Sequence, residues 1–171
     1  MKKLLKQLII ANSTLENGEI SAAKQLAEFF APFNDICRLS TWDQTRANFV
    51  LLAPGKGIKK SLIFVSHLDV VPAGDVPWTY PPFEPVEKDG RIYGRGASDM
   101  KGGLTAAAFA VKEILDSGLQ LAGDLIFAAT AGEETDSIGM KFFLDQYPDI
   151  HDAAGVILPE PTDLKVINAH R

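Results

Sequence analysis

Residues 61–74 read SLIFVSHLDVVPAG, an apolar run that ends in a histidine and an aspartate one residue apart. The apolar part is rich in β-branched and aromatic side chains, which predicts a buried strand. Side chains two residues apart on a strand point to the same face, so we expect His67 and Asp69 to lie side by side. Such a pair either caps a strand end or orients a metal-binding imidazole with a carboxylate. On this stretch alone the simple cap is the more common case.

The composition is that of an ordinary globular domain. A chain of 171 residues with 46% hydrophobic and 23% charged residues is long enough to bury one core. Its net charge of −5 argues against nucleic acid or an anionic membrane as the main partner. The single cysteine, Cys37, excludes an internal disulfide framework. The start, MKKLLKQLII, predicts an amphipathic helix rather than a signal peptide, and we expect a cytoplasmic protein.

Apolar strands alternate with helical segments along the chain. Strands are predicted at ANFVLLAPG (47–55), SLIFVSHLD (61–69), GDLIFAAT (123–130) and AAGVILPE (153–160), with a hairpin at VEKDGRIYG (86–94) that turns at Asp89–Gly90. Further helices are predicted from a Ser21 cap to about Pro32, over 102–118 with Gly118 as the stop, and over 137–147. The alternation predicts an α/β domain with a mostly parallel mixed sheet and helices on both faces.

Side chains that bind metals follow four of these segments. They are His67 and Asp69, Asp99, Glu133 and Glu134, and Glu160. Ligands of open α/β sheets gather outside the carboxyl ends of the strands, so we expect these groups to meet at one edge. So many carboxylates together would repel one another unless cations lay between them. The pattern therefore predicts a site for a pair of divalent metal ions.

Four longer motifs extend this pattern over nearly the whole chain. They are SHLDVVPAG (66–74), WTYPPFEPVEKDGRIYGRGASDMKGG (78–103), AGEETDSIGM (131–140) and PEPTDL (159–164). In content and order they resemble the co-catalytic dinuclear zinc amidohydrolase and peptidase family. Its members include succinyl-diaminopimelate desuccinylase, acetylornithine deacetylase, carboxypeptidase G and the aminoacylases. The resemblance implies a zinc-exopeptidase-like catalytic domain.

The resemblance also implies a role for each metal-binding side chain. By it, His67 and Glu160 bind the first metal, Glu134 binds the second, and Asp99 bridges the two. Asp69 is implied to be the carboxylate that orients the His67 imidazole. Two zinc ions per complete site are implied, with Co²⁺ or Mn²⁺ as possible substitutes.

The implied reaction is hydrolysis of an amide bond in an N-acyl amino acid or a small peptide, of the deacylase, desuccinylase or exopeptidase type. Glu133 is implied to be the general base that takes a proton from the metal-activated water and passes it to the leaving amine. The family also implies a cis peptide bond between Asp99 and Met100.

The chain departs from the family in length. It ends in KVINAHR (165–171), where family members continue into a lid and dimerisation domain and then the rest of the catalytic domain. We therefore expect residues 1–171 to be the amino-terminal part of the catalytic domain, and the full-length relative to be a homodimer through the lid. The second metal's histidine normally comes from the missing part, and neither His151 nor His170 is well placed to replace it. A catalytically inactive metal-binding fragment is the alternative.

Two unrelated functions share short patterns with this chain. YGRGASDMKGG (93–103) before a helix is compatible with a nucleotide-binding α/β module, although it lacks the third glycine and Asp99 would repel phosphate. SDMK (98–101) matches the Ser-x-x-Lys pattern of penicillin-binding enzymes, but no Lys-Thr-Gly follows it. Both remain remote alternatives.

Overall fold

The computed structural model describes residues 1–165. The strands are β1 (Cys37–Thr41), β2 (Ala47–Ala53), β3 (Leu62–His67), β4 (Val86–Lys88), β5 (Arg91–Tyr93), β6 (Leu125–Thr130) and β7 (Gly155–Ile157). The helices are α1 (Lys2–Ile10), α2 (Ile20–Phe29), α3 (Lys101–Asp116) and α4 (Ile138–Gln146), with 3₁₀ turns at Ala31–Ile36 and Pro148–Asp152.

Five of the strands form one mixed sheet in the order β1-β2-β6-β3-β7. β3 pairs in parallel with β6 and with β7, whereas β2 runs antiparallel to both of its neighbours. Four of the five strands therefore run in the same direction, and β2 alone is reversed. The predicted mixed α/β sheet is confirmed, although half of its neighbouring pairs are antiparallel.

Two apolar layers cover the sheet. Phe49 and Phe127 face the layer formed with α1, α2 and α3, while Val50 and Ile63 face the layer that contains Phe143 of α4. Neighbouring residues of β2 thus point to opposite layers, as the pleat of a strand requires. Helices on both faces were predicted and are confirmed.

The predicted hairpin and the first helix are also present. β4 and β5 pair around Asp89 and Gly90, whose φ values of 51° and 74° are those of a two-residue turn with both central residues left-handed. α1 is amphipathic and buries Leu4, Leu8 and Ile9. Within the described part of the chain, no helix combines the length and the apolar character needed to cross a membrane.

The second helix differs from its prediction at both ends. It begins at Ile20 and not after Ser21, and it ends at Phe29, before Pro32. The start is fixed by tertiary contacts, because the Ile20 N–H donates to the Thr45 carbonyl at 2.9 Å. Ser21 therefore lies inside the helix, and the prediction that it caps the helix is wrong.

Two strands differ from expectation because they lie at the sheet edges. β1 was not predicted, since most of its side chains are exposed and it carries no apolar run. β7 was predicted to be buried, but Val156 and Ile157 are 51% and 42% exposed. Among residues 1–165, β7 pairs only with β3, so no further strand covers its outer edge.

Candidate metal centre

His67 is the last residue of β3, at the carboxyl end of the sheet. Its side chain is almost fully buried, at 3% exposure, and it lies in parallel register with Thr130 at the end of β6. The two strands therefore deliver the imidazole and the loop after β6 to the same edge. This is the edge at which the sequence predicted a site.

Asp69 lies beside His67 as expected, but the hydrogen bond between them differs from the expected one. The Nδ1 atom of His67 donates to the backbone carbonyl of Asp69 at 3.0 Å, while the nearer carboxylate oxygen lies 3.6 Å away. A carbonyl can only accept, so the proton is on Nδ1 and the Nε2 lone pair faces the site. The Asp69 carboxylate instead accepts the backbone N–H groups of Glu133 at 3.1 Å and Glu134 at 2.9 Å.

Carboxylates from three other segments surround Nε2 of His67. Asp99 Oδ1 lies 3.1 Å from Nε2, Glu160 Oε1 lies 3.9 Å away and Glu133 Oε2 lies 4.0 Å away. The ligand atoms of His67, Asp99 and Glu134 all lie within 4.8 Å of one another. The structure thus brings the predicted groups together at one end of the sheet.

The turn before α3 places Asp99 opposite His67. The Asp99–Met100 peptide bond is cis, as the family resemblance implied. Gly96 has a φ of 79°, and a Cβ atom there would lie 2.6 Å from Cγ1 of Val70. Only glycine therefore fits this point of the turn, because any other residue would be strained and would clash.

Lys101, in the first turn of α3, is fully buried and was not recognised from sequence as a structural residue. Its ammonium group donates to the Leu8 carbonyl at 2.7 Å and to the Ser13 hydroxyl at 2.8 Å. Ser13 in turn donates to the Leu68 carbonyl at 2.6 Å, which links α3 to the segment of His67. Burial lowers the pKa of Lys101 to about 7. These contacts give Lys101 a structural role and do not support the Ser-x-x-Lys hypothesis for Ser98.

The electrostatics of the cluster match a cation site. Burial lowers the pKa of His67, but neighbouring negative charges, first that of Asp69 and then that of Glu160, outweigh this and raise it. Burial raises the pKa of Glu134 and of Glu160, and the other carboxylates of the cluster add to that increase. One imidazole nitrogen and several crowded carboxylate oxygens are a ligand set that zinc accepts, and bound cations would relieve the repulsion.

The other two histidines do not join this cluster in the described part of the chain. His151 lies in the 3₁₀ turn before β7, and so at the amino-terminal edge of the parallel strands, as expected. His170 lies outside the described residues.

Arg46 and Asn48 were also missed by the sequence reasoning. Both are buried polar residues, Arg46 directly before β2 and Asn48 within it, and each contacts the loop that carries Glu133 and Glu134 or the first residues after it. Their spacing of two residues, which puts them on one face, is the only sequence signal that could have found them.

The fold and the cluster together define an α/β domain with a candidate metal centre. Comparison with protein families identifies the family to which this domain belongs. Residues 63–169, more than half of the chain, match the model of Peptidase family M20/M25/M40. The chain belongs to this family, and the resemblance seen in its motifs is confirmed.

Curated relatives of the chain carry desuccinylase names. A protein of Staphylococcus aureus (strain MRSA252) named "Probable succinyl-diaminopimelate desuccinylase" is 37% identical over 166 residues, which are 95% of this chain and 40% of that protein. The "Succinyl-diaminopimelate desuccinylase" of Acidovorax ebreus is 33% identical over 156 residues, which are 84% of this chain and 39% of that protein. The chain thus spans about 40% of the length of the curated relatives it matches.

Solved structures share the fold. The M20 family metallo-carboxypeptidase Sso-CP2 of Sulfolobus solfataricus superposes with a TM-score of 0.76 at 25% identity, over 92% of this chain and 36% of that one. Human carnosine dipeptidase 1 gives a TM-score of 0.68 at 22% identity, over 92% of this chain and 37% of that one, and this likeness concerns the fold alone. The predicted α/β class is therefore confirmed.

Proposed function

We propose that this chain forms the metal-binding part of a hydrolase site that cleaves the amide bond of N-acyl amino acids or small peptides. The observation that carries the proposal is the convergence of His67, Asp99 and Glu134, whose ligand atoms lie within 4.8 Å of one another at the carboxyl end of the sheet. Membership of a peptidase family and the desuccinylase names of the relatives support the type of reaction.

Four side chains would hold the metals. In our assignment His67 and Glu160 would belong to the first site and Glu134 to the second, and Asp99 would contribute a ligand to both. The distances of 3.1 Å and 3.9 Å from His67 Nε2 to Asp99 and Glu160 support the first site. Zinc bound here, or Co²⁺ or Mn²⁺ in its place, would lower the pKa of a coordinated water and polarise the scissile carbonyl.

Glu133 is the proposed general base. Its backbone N–H is fixed by Asp69, and its Oε2 atom lies 4.0 Å from His67 Nε2, beside the proposed ligands. Glu133 would take a proton from the attacking water as the oxygen bonds to the carbonyl carbon. It would then give this proton to the leaving nitrogen as the C–N bond breaks, which releases a carboxylic acid and an amine.

The remainder of the site is proposed to lie outside residues 1–171. We propose that these residues are the amino-terminal part of a catalytic domain, and that a longer protein adds a histidine for the second metal and a lid through which it dimerises. The 40% coverage of the Staphylococcus relative supports this proposal. A cytoplasmic location is proposed because the sequence has one cysteine and so forms no internal disulfide.

A narrower alternative is that the chain by itself binds metal without turnover. Its support is that His67 is the one histidine of the described residues in the cluster, since His151 lies at the other edge. A direct assay separates the two functions. The zinc-loaded chain is incubated with N-succinyl and N-acetyl amino acids and with dipeptides, and His67→Ala serves as the control.

Release of amine that disappears in His67→Ala would show that the chain hydrolyses amides by itself. Zinc binding without release would establish the alternative. A wild-type chain that binds no zinc would overturn both, because the cluster would then not be a metal centre.

A further inference from the structure

The segment that we call the glutamate loop, residues 131–139, comprises the connection after β6 and the first two residues of α4, and it carries Glu133 and Glu134. Asn48 of β2, only 1% exposed, contacts both ends of this loop. Its Nδ2 donates to the Gly139 carbonyl at 2.7 Å, and its Oδ1 accepts the Ala131 N–H at 3.0 Å. The Gly139 N–H also donates to the Ala131 carbonyl at 3.0 Å, so the two ends of the loop are closed against one side chain.

Arg46 contacts the middle of the same loop. Its Nη2 lies 3.6 Å from Oδ1 of Asp136, and a Cβ atom on Gly132 would lie 2.6 Å from Nη2. The guanidinium therefore packs directly against the loop backbone at Gly132. Asp136 Oδ1 also accepts the Ile138 N–H at 3.1 Å, which joins this contact to the start of α4.

Arg46 also forms a buried ion pair with Glu19. Its Nε donates to Glu19 at 2.7 Å, and the side chains of Arg46 and Glu19 are only 10% and 0% exposed. A buried ion pair of this kind adds little net stability compared with apolar residues of the same size, but removing one partner leaves the other charge buried and unpaired. The negative charge of Asp69 also acts on Arg46, and Asp69 holds the amides of Glu133 and Glu134.

The glutamate loop needs such support because of what it carries. It places Glu134 within 4.8 Å of the ligand atoms of His67 and Asp99. It also places the Glu133 carboxylate 4.0 Å from His67 Nε2, which Asp99 and Glu160 approach at 3.1 Å and 3.9 Å. Repulsion between these groups would push an unsupported loop away from the sheet edge. Groups behind the direct ligands typically decide how tightly a metal is held.

We propose that Arg46 and Asn48 are positioning residues, which hold the glutamate loop in the geometry that metal binding requires. The expected change in metal affinity rests on the proposed function. The effect of the two residues on the position of the loop does not depend on it. Arg46 packs against the middle of the loop, and Asn48 forms hydrogen bonds with both of its ends. Glu134 then meets His67 and Asp99 without further rearrangement.

The test uses Arg46→Met, Arg46→Lys and Asn48→Ala, with Leu51→Ala as the matched control. Leu51 lies on β2 but packs in the opposite layer, against α1, α2 and α3, so its truncation weakens the fold without touching the loop. The double variant Glu19→Gln/Arg46→Met avoids leaving a buried charge without its partner. All variants are measured at a temperature at which circular dichroism shows them folded.

Two quantities are measured on each variant. The first is the zinc dissociation constant, by competition with a chelating dye, which we expect to rise about 10- to 100-fold in Arg46→Met and Asn48→Ala. Arg46→Lys should recover part of the loss, and Leu51→Ala should melt earlier with an unchanged dissociation constant. The second is hydrogen exchange of the Glu133 and Glu134 amides without metal, which we expect to be faster only in the loop variants.

If Arg46 and Asn48 only stabilised the fold, the measurements would give a different pattern. In that case Arg46→Met, its double variant and Asn48→Ala would melt earlier, as Leu51→Ala does, yet keep the zinc constant and the exchange rates of the wild type. That outcome overturns the inference. If the wild-type chain binds no zinc, the proposed function fails, and the exchange rates of the loop amides still decide the positioning role.

Discussion

The backbone carbonyl of Asp69, and not its carboxylate, accepts the Nδ1 proton of His67, at 3.0 Å. The two functions of Asp69 are thereby separated. Its main chain sets the tautomer of the imidazole, and its side chain holds the amides of Glu133 and Glu134. Asp69, two positions beyond the end of β3, thus connects the histidine to the glutamate loop.

Replacing Asp69 by Asn tests this separation. One oxygen remains, but the amide nitrogen would face an N–H donor of the loop, so we expect zinc affinity to fall about 10- to 100-fold. The tautomer of His67 should stay the same, because the carbonyl of residue 69 is retained. The ¹⁵N chemical shifts of the imidazole measure this tautomer in the metal-free variant, at a pH high enough to keep the ring neutral. A proton moved to Nε2 would contradict the separation.

Glu133 and Glu134 should respond differently to the same change. In the complete enzyme, Glu133→Gln should keep the metal content and lower turnover by roughly two to four powers of ten, since it removes a general base. Glu134→Gln should instead lose metal from the second site, because an amide oxygen is a weaker ligand than a carboxylate. Metal analysis with turnover rates checks both, and the opposite pattern would reverse our assignment of the two neighbours.

The stoichiometry of the isolated chain is a separate prediction. His67, Asp99 and Glu160 give the first site three protein ligands, the number found in catalytic zinc sites, whereas the second has Asp99 and Glu134. We expect about one firmly bound zinc ion per chain and a second that dialysis removes. Metal analysis after dialysis, with titration calorimetry, measures this. Two equally tight ions would mean that the second site is complete without another histidine.

The need for glycine at Gly96, in the turn before α3, can be tested by comparison with Gly57, which lies elsewhere in the chain. Both have positive φ, of 79° and 68°, but a Cβ at Gly96 would meet Val70 at 2.6 Å while one at Gly57 would meet nothing within 4 Å. Gly57→Ala should therefore cost about 1 kcal/mol of unfolding free energy from backbone strain alone. Gly96→Ala should cost about 1–3 kcal/mol more because of the clash. Urea denaturation compares them, and equal losses would show that the turn relaxes around the added methyl group.

The reactivity of the Cys37 thiol tests how its surroundings change its pKa. Burial, with the negative charge of Asp35, raises the pKa of the thiol to about 11. The thiol is protonated below that pKa, so alkylation by iodoacetamide should be slow at pH 8 and should accelerate as pH rises towards 11. Asp35→Asn should shift this profile to lower pH. An unchanged profile in Asp35→Asn would mean that burial alone raises the pKa.

Apolar runs made the centre of the fold predictable. β3 and β6 are short, continuous apolar segments, and the position of His67 at the end of one and Glu133 after the other already indicated a shared edge. The direction of β2 was not predictable, because an apolar run shows burial but not orientation. The start of α2 was predicted wrongly because Ile20 is held by a hydrogen bond to Thr45, which is distant in sequence.

The supporting groups of the site were harder to predict than its ligands. Carboxylates and histidines are recognisable by their chemistry, but Arg46 and Asn48 are ordinary polar residues until their partners are known. Asn48 contacts residues 83 and 91 positions later in the chain, at Ala131 and Gly139. The use of the Asp69 carbonyl had no sequence signal, because every residue has one.

The edge of β7 that pairs with no strand among residues 1–165 is a surface on which two molecules can meet. Val156, Ile157 and Leu158 are 51%, 42% and 58% exposed, next to backbone groups that pair with no other strand among residues 1–165. Exposed, apolar edge strands favour strand-to-strand addition between molecules. We therefore expect purified samples to self-associate through β7 as their concentration rises. A lysine at position 156 would keep concentrated solutions clear without touching the site.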